Sequence, residues 1–183
     1  MATSDAVSSN AVGEARTPAR AVVSSRLLDR ATIVAIVLVV VLVSIPTLRA
    51  FALRENEIDA MRTLRLLAAQ PAPAGVPAER CDLAWLVAHD ASLRRRLEDL
   101  EFVEGGLLRR HGYLFDLTRL QPGEPMLRAW PWSHGTTGRG AYVWTPQRGL
   151  LGFPNREGVF AGPNGAPEAD DIDATWLTIS YRR

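Results

Sequence analysis

The chain has 183 residues, a formal net charge of +1 and a hydrophobic content of 47%. Outside a polar N-terminal arm and one apolar stretch, roughly 100 residues remain, which is enough for one small domain and excludes multi-domain enzymes and multi-span transporters. No segment is basic enough to follow a phosphate backbone, and the single cysteine, Cys81, excludes an intramolecular disulfide, so neither nucleic acid nor a disulfide framework is expected.

The N-terminal arm comprises residues 1–25. It is rich in Ala, Ser, Val and Thr with scattered charge and no hydrophobic period. Such a composition cannot bury enough apolar surface to order itself. We therefore expect a disordered cytoplasmic arm or leader.

An uncharged apolar segment follows at residues 31–48. As a helix it covers about 27 Å, close to the thickness of a hydrocarbon core. Because it has no polar face, the segment predicts a transmembrane helix whose partner is membrane lipid.

Three interpretations of this segment are possible from its sequence. It is a retained single-pass anchor, a cleaved secretory signal, or the first half of a longer helix that continues into water. Ala50-Phe51-Ala52 has the small-x-small form of a signal-peptidase site, but the apolar run exceeds the usual length and Arg49 interrupts it.

The residues after Pro46 favour the long helix. No Gly or Pro occurs before Pro71, and apolar residues recur near helical spacing among charged ones, at Phe51, Ile58, Met61, Leu64 and Ala68. Pro46 would kink such a helix rather than abolish it. We predict one helix over 26–69, amphipathic in its second half, in which Asp59 and Arg62 are spaced to form a weak ion pair.

A Pro-rich linker over 70–80 ends the helix, and a head domain occupies 81–183. Residues 82–90 and 91–102 read as two short helices. Short strands punctuated by Gly and Pro follow, within LLRRHGYLFDLTRL, MLRAWPW, GAYVWT, GLLGF and TWLTISY. This order predicts an α+β fold with an antiparallel sheet packed on the long helix.

No residue set in the head converges on catalysis or metal binding. His89, His111 and His134 lack a second metal ligand at usable spacing, so structural or surface roles are expected. Ser133 is not in a GxSxG motif, and the Gly-rich 134–140 segment lacks the P-loop lysine. We therefore expect no enzyme, no cofactor and no metal.

Two sets of charged residues are expected to face solvent. The arginines of 94–96 and 109–110 have acidic residues close by, which is typical of a mixed solvated face. Asp170, Asp171 and Asp173 lack a calcium-loop pattern, so a solvated acidic loop is expected.

The layout resembles the type IV pilin and type II secretion pseudopilin superfamily over roughly residues 24–183. Counting back from Pro46, the family's processing motif falls on Ser24 and Ser25, and Leu-Leu-Asp ending at Asp29 matches its Leu-Ile-Glu in register. ENEIDAMRTLRLLAAQ (55–70) is similar to the segment that follows the apolar helix in the family, and HGYLFDL, AWP, GTTGRGAYVW and TWLTI look like its head. Ser24 replaces the family's Gly, and Asp29 replaces its Glu.

The resemblance implies a minor pilin or pseudopilin subunit. Prepilin peptidase would cut between Ser24 and Ser25, and Asp29 and Pro46 would serve assembly with other pilin-like subunits through the apolar helix. A carboxylate near the start of a helix is also favoured by the helix dipole, although Asp29 reads equally well as a solvated interfacial residue. The resemblance places the protein in the inner membrane as a single pass, with an extracytoplasmic head.

Two rival functions remain. The first is a membrane-anchored envelope module that binds a ligand through the Trp-rich region 130–146, or the same head secreted after signal-peptidase cleavage. The second, ranked last, is a hydrolase or metal enzyme.

Overall fold

The computed structural model describes residues 19–70, 82–103, 105–121 and 124–180. A long N-terminal helix with an apolar stretch precedes a small antiparallel sheet, which confirms the predicted α+β class. The helices are α1 (Ala19–Ala68), α2 (Leu83–His89) and α3 (Ala91–Arg96). The strands are β1 (Glu101–Phe102), β2 (Leu108–Arg110), β3 (Tyr113–Gln121), β4 (Glu124–Pro131), β5 (Ala141–Thr145), β6 (Gly149–Phe153) and β7 (Leu177–Thr178).

Helix α1 begins earlier than the sequence predicts. It starts at Ala19, so residues 19–25, which the sequence assigned to the arm, belong to the helix. Residues 1–18 and 71–81, which hold the rest of the predicted arm and nearly all of the predicted linker, lie outside the described residues.

The chain divides into two compact units after Pro46. The second unit holds the sheet, α2, α3 and the C-terminal part of α1. In that part the buried apolar side chains are Leu53, Ala60, Leu64 and Leu67, which repeat at helical spacing and form one stripe. Phe51 is 63% exposed, because it projects about 160° around the helix from Leu53. The amphipathic prediction therefore had the right period but, apart from Leu64, missed the most deeply buried residues.

The β2–β3 hairpin divides the predicted 107–120 strand region. His111 and Gly112 form its two-residue turn, with φ of 45° and 76°. A type I′ hairpin turn requires positive φ at both central positions, which Gly adopts freely and His rarely. The turn places His111 at the edge of the sheet, facing α1.

Helix α3 is shorter than the predicted 91–102 helix. Asp90 caps its start by accepting hydrogen bonds from the backbone N–H groups of Ser92 and Leu93. The helix ends at Arg96, and Glu101 and Phe102 instead form β1 at the sheet edge. Pairing with β2 supplies the backbone hydrogen bonds that a longer helix would have made.

Each strand of the sheet pairs with the next in sequence, so the topology is a meander. Side chains alternate between two cores. One core, with Tyr113, Phe115 and Tyr142, packs on the helices, and the other holds residues such as Leu114 and Trp130. The 154–176 segment covers this second core through Phe160 and Trp176, and Asn155 holds the segment by two hydrogen bonds to the backbone of Phe160.

Candidate functional site: an apolar helix and the loop beside it

The apolar stretch of α1 is exposed on all sides. Its large hydrophobic side chains are between 47% and 66% exposed, and they are Ile33, Val34, Ile36, Val37, Leu38, Val39, Val40, Val41, Leu42, Val43, Ile45 and Leu48. An 18-residue window here has a mean hydropathy of 2.8, and none of it is buried. By length and composition this helix can cross a membrane.

Two of the three hydroxyl residues within this stretch, Thr32 and Ser44, bond to their own helix. Thr32 Oγ1 donates to the carbonyl of Leu28 at 2.9 Å, and Ser44 Oγ donates to that of Val40 at 2.7 Å. Polar groups in hydrocarbon must find partners within the protein. Neither side chain therefore opposes contact with lipid.

The four predicted processing and assembly residues all lie in α1. Ser24 and Asp29 are near its start, and Pro46 is inside it. Ser24 and Pro46 are about 33 Å apart along the helix, so they do not form one site within a chain. Asp29 is exposed.

A loop over residues 133–140, here called the clasp loop, is bound to α1. Glu57 Oε1 accepts hydrogen bonds from the backbone N–H groups of Arg139 and Gly140, at 3.0 and 3.3 Å. Hydrogen bonds to a carboxylate are stronger than neutral ones. This end of the clasp loop is therefore held at the level of Glu57, with the Arg139 side chain exposed.

The remainder of the clasp loop runs along α1 from Glu57 to Arg49. Asn56 Nδ2 donates to the carbonyl of Thr137 at 2.8 Å. Arg49 Nη2 donates to the carbonyl of Gly135 at 2.9 Å. Arg49 precedes Glu57 by about 12 Å along the helix, so the loop follows more than two helical turns.

Two buried tyrosines lie under the clasp loop. Tyr113 Oη donates to the carbonyl of Gly140 at 3.1 Å, and its ring centroid is 6.0 Å from that of Tyr142. Burial raises the pKa of Tyr113, and the neighbouring Tyr142 and Glu57 raise it further. Burial and Glu57 likewise raise the pKa of Tyr142. Both phenols therefore stay neutral, and Tyr113 holds the loop through its hydrogen bond to Gly140.

A network of charged side chains joins α1 to the β2–β3 turn and to the segment before β1. Arg110 donates to Asp59, Asp99 and Thr63, each at 2.7 Å. The ring nitrogens of His111 lie 2.9 Å from Asp59 Oδ2 and 2.7 Å from Asp99 Oδ2. Three separate parts of the chain are thus tied together by two carboxylates.

The network corrects two expectations from the sequence. The Arg110 side chain is only 13% exposed and does not belong to a solvated face. Asp59 was predicted to pair with Arg62 one turn along the helix, but among the ion pairs of the described residues its partners are Arg110 and His111. A close, partly buried partner outweighs an exposed neighbour on the same helix.

The network alters the ionisation of Asp99. Partial desolvation disfavours its charged form, but hydrogen bonds from Arg110 and the charges of Arg110 and His111 outweigh this and lower its pKa. Asp99 is therefore an anion wherever the fold is intact near neutral pH.

Two cavities of about 400 and 410 Å³ flank Trp132. The first is polar and includes Arg110, His111 and Arg109, whose guanidinium lies 5.2 Å from the centroid of the Trp132 ring. The second is lined by Val103, Leu107 and Asn164 among others. Trp132 belongs to the 130–146 region in which the sequence predicted a binding surface.

The three histidines lie in separate environments. The His89 ring stacks on Trp85 with centroids 4.0 Å apart, His111 joins the charged network, and His134 Nε2 is buried with no partner among the described residues. In the described ranges, no group of three or more His, Cys, Asp or Glu is arranged to hold a metal ion.

Carboxylates in the acidic loop around Asp170, Asp171 and Asp173 accept hydrogen bonds from within the same loop. Asp171 accepts a hydrogen bond from the backbone N–H of Glu168, and Asp173 accepts one from that of Thr175. The bonds from Thr175 lower the pKa of Asp173. These contacts shape the loop.

Comparison with protein-family models, with curated proteins and with solved structures finds no match. The geometry of the apolar helix, the clasp loop and the head is therefore the basis for assigning a function.

Proposed function

We propose that the chain is a single-pass membrane protein of the cytoplasmic membrane with a structural role. Its apolar helix spans the bilayer and associates with the helices of other pilin-like subunits, and its head lies outside the cytoplasm. The observation that carries the proposal is the fully exposed apolar stretch of α1, which no described part of the chain covers. In water this surface would be strongly unfavourable, whereas lipid and neighbouring helices satisfy it.

The sequence separation between span and head supports a structural role. Leu48 ends the apolar stretch, and Leu53 is already in the core of the head. Five residues reach at most about 18 Å even when fully extended. The head of each subunit must therefore stay near the membrane, as a subunit packed through its helix requires.

A membrane-anchored binding module is the second candidate. The two cavities beside Trp132 favour it, since pockets with an aromatic wall and a few polar groups are the usual ligand sites. Release of the head as a secreted protein is less well supported, because cleavage after Ala52 would leave the core residue Leu53 at the new terminus.

The N terminus of the membrane-bound protein tests processing. The full chain is expressed in cells that contain a prepilin peptidase, and the N-terminal sequence is read. A start at Ser25 supports pilin-like processing, and Ser24→Trp should abolish it. An uncut chain in the membrane leaves the anchored module, and a soluble product that starts at Leu53 contradicts the proposal.

Association through the helix is tested by disulfide crosslinking. In a Cys81→Ser background, single cysteines replace Ile36, Val37, Leu38 and Val39 in turn, which samples one helical turn. Helix packing predicts a covalent dimer at one or two adjacent positions after oxidation, with Val159→Cys on the head as the control. Uniformly absent crosslinks would favour a lone anchored module.

A further inference from the structure

We propose that the membrane-proximal surface of the head, made by the clasp loop together with Arg49 and Arg54, binds the headgroups of anionic phospholipids. The proposal rests on the proposed function, since it needs α1 in a bilayer. It adds a second membrane contact, made by the folded head rather than by the span.

The position of the surface follows from contacts within the head unit. Arg49 comes directly after Leu48, the last residue of the apolar stretch. The carbonyl of Gly135 is bonded to the Arg49 guanidinium, so the tip of the clasp loop lies within one arginine side chain of the helix residue that follows the span. With residues 31–48 in hydrocarbon, this tip lies at headgroup level.

The charge of the surface fits an anionic partner. The clasp loop contains Arg139 and no acidic residue, and the exposed side chain of Arg54 adds a second cation on α1. Glu57 is the nearest acid that the loop contacts, and its carboxylate is engaged by two backbone N–H groups. Glu55 is the exposed acid on the same part of α1. Three cations (Arg49, Arg54 and Arg139) therefore outnumber the two acids, Glu55 and Glu57.

The exposed apolar residues at the same level also suit a membrane surface. Leu48 is 66% exposed and Phe51 is 63% exposed. Aromatic and arginine side chains are favoured at the interface, where the ring and the aliphatic stem contact acyl chains and the charge meets phosphate. An interfacial role also accounts for Phe51, which the core of the head leaves uncovered.

A fluorescent label on the clasp loop tests the proposal in the full chain. Cys81→Ser removes the native thiol, and Thr136→Cys, at an exposed position of the loop, receives an environment-sensitive fluorophore. The protein is reconstituted into vesicles of phosphatidylcholine alone or of phosphatidylcholine and phosphatidylglycerol, each with a headgroup-labelled quenching lipid. If the clasp loop binds anionic headgroups, its fluorophore should be quenched more strongly in the anionic vesicles than in phosphatidylcholine alone. High salt should remove this difference.

Arg139→Gln is the decisive variant, because it removes the charge and keeps the backbone N–H that Glu57 accepts. It should lower the ratio of docked to undocked loop about fivefold. Arg96→Gln on α3 is the matched control and should change nothing, and a label at Ser92→Cys should not be quenched.

The outcomes separate the two proposals. Quenching that is equal in both vesicle types, or insensitive to Arg139→Gln, overturns the lipid-binding surface and leaves the membrane anchor intact. Failure of the chain to incorporate into either vesicle type overturns the anchor, and the lipid-binding surface with it.

Discussion

Arg110 shows how much of this structure depends on single long-range contacts. Its guanidinium reaches Asp59 on α1 and Asp99 before β1, and His111 beside it contacts the same two carboxylates. Removing one member leaves a partly buried charge without its partner, which costs more than the pair itself contributes. The network is therefore a point at which stability responds to pH.

Asp99→Asn tests this response. Because the pKa of Asp99 is lowered in the folded state, the carboxylate stabilises the fold above about pH 4, its ordinary range, and this contribution is lost as the pH falls through the folded-state pKa. The variant should be less stable than wild type at pH 7, and the difference should shrink below about pH 4. Thermal unfolding in detergent at several pH values measures it. A difference that is constant down to strongly acidic pH would show that Asp99 acts only through packing.

At the scale of elements, the C-terminal part of α1 is a core element of the head. Leu64 is fully buried against the sheet and the short helices. Leu64→Ala should lower the free energy of unfolding by about 2–5 kcal/mol through lost burial and the cavity left behind. Leu177→Ala, at an exposed position in β7, should change it by less than about 0.5 kcal/mol. Equal effects in denaturant unfolding would contradict the packing of α1 on the sheet.

The clasp loop gives the second prediction at this scale. Glu57→Ala removes the acceptor for the N–H groups of Arg139 and Gly140. Hydrogen exchange at these two amides should become roughly tenfold faster, in line with the loss of a charge-assisted bond. Amides of β5 should keep their protection. Unchanged exchange at Arg139 would mean that other contacts hold the loop.

The elements differ in how far the sequence predicts them. The apolar stretch of α1 and the α+β class follow from local pattern, since both depend on period and composition. The break at His111-Gly112 was missed, because His rarely adopts the positive φ that the turn requires. The core stripe of α1 was not, because Phe51 and Leu53 fit helical spacing equally well and only the sheet decides which is buried.

The contacts of the charged network and of the clasp loop could not be predicted from the sequence, for a different reason. Asp59 and Arg110 are 51 residues apart, and Glu57 and Arg139 are 82 apart. No local pattern links such positions. Their pairing depends on the β2–β3 turn and the loop after β4 both meeting α1.

At the scale of the whole molecule, the chain combines an apolar surface, which is unfavourable in water, with a folded head whose surface suits water. The apolar stretch of α1 is exposed throughout, whereas the head buries its apolar residues in two cores on either side of one sheet. The boundary between the two compact units lies after Pro46, inside α1. The proposed membrane span would place the apolar stretch in lipid and leave the head in water.

Alkaline extraction of membranes from cells expressing the full chain tests this claim most directly. A spanning helix predicts that the wild-type protein stays in the membrane pellet. A Val37→Arg/Val40→Arg variant should move to the supernatant, because each charge near the centre of a span costs about 2.5–3.5 kcal/mol. Wild-type protein released into the supernatant, to the same extent as the arginine variant, would contradict a membrane-spanning α1.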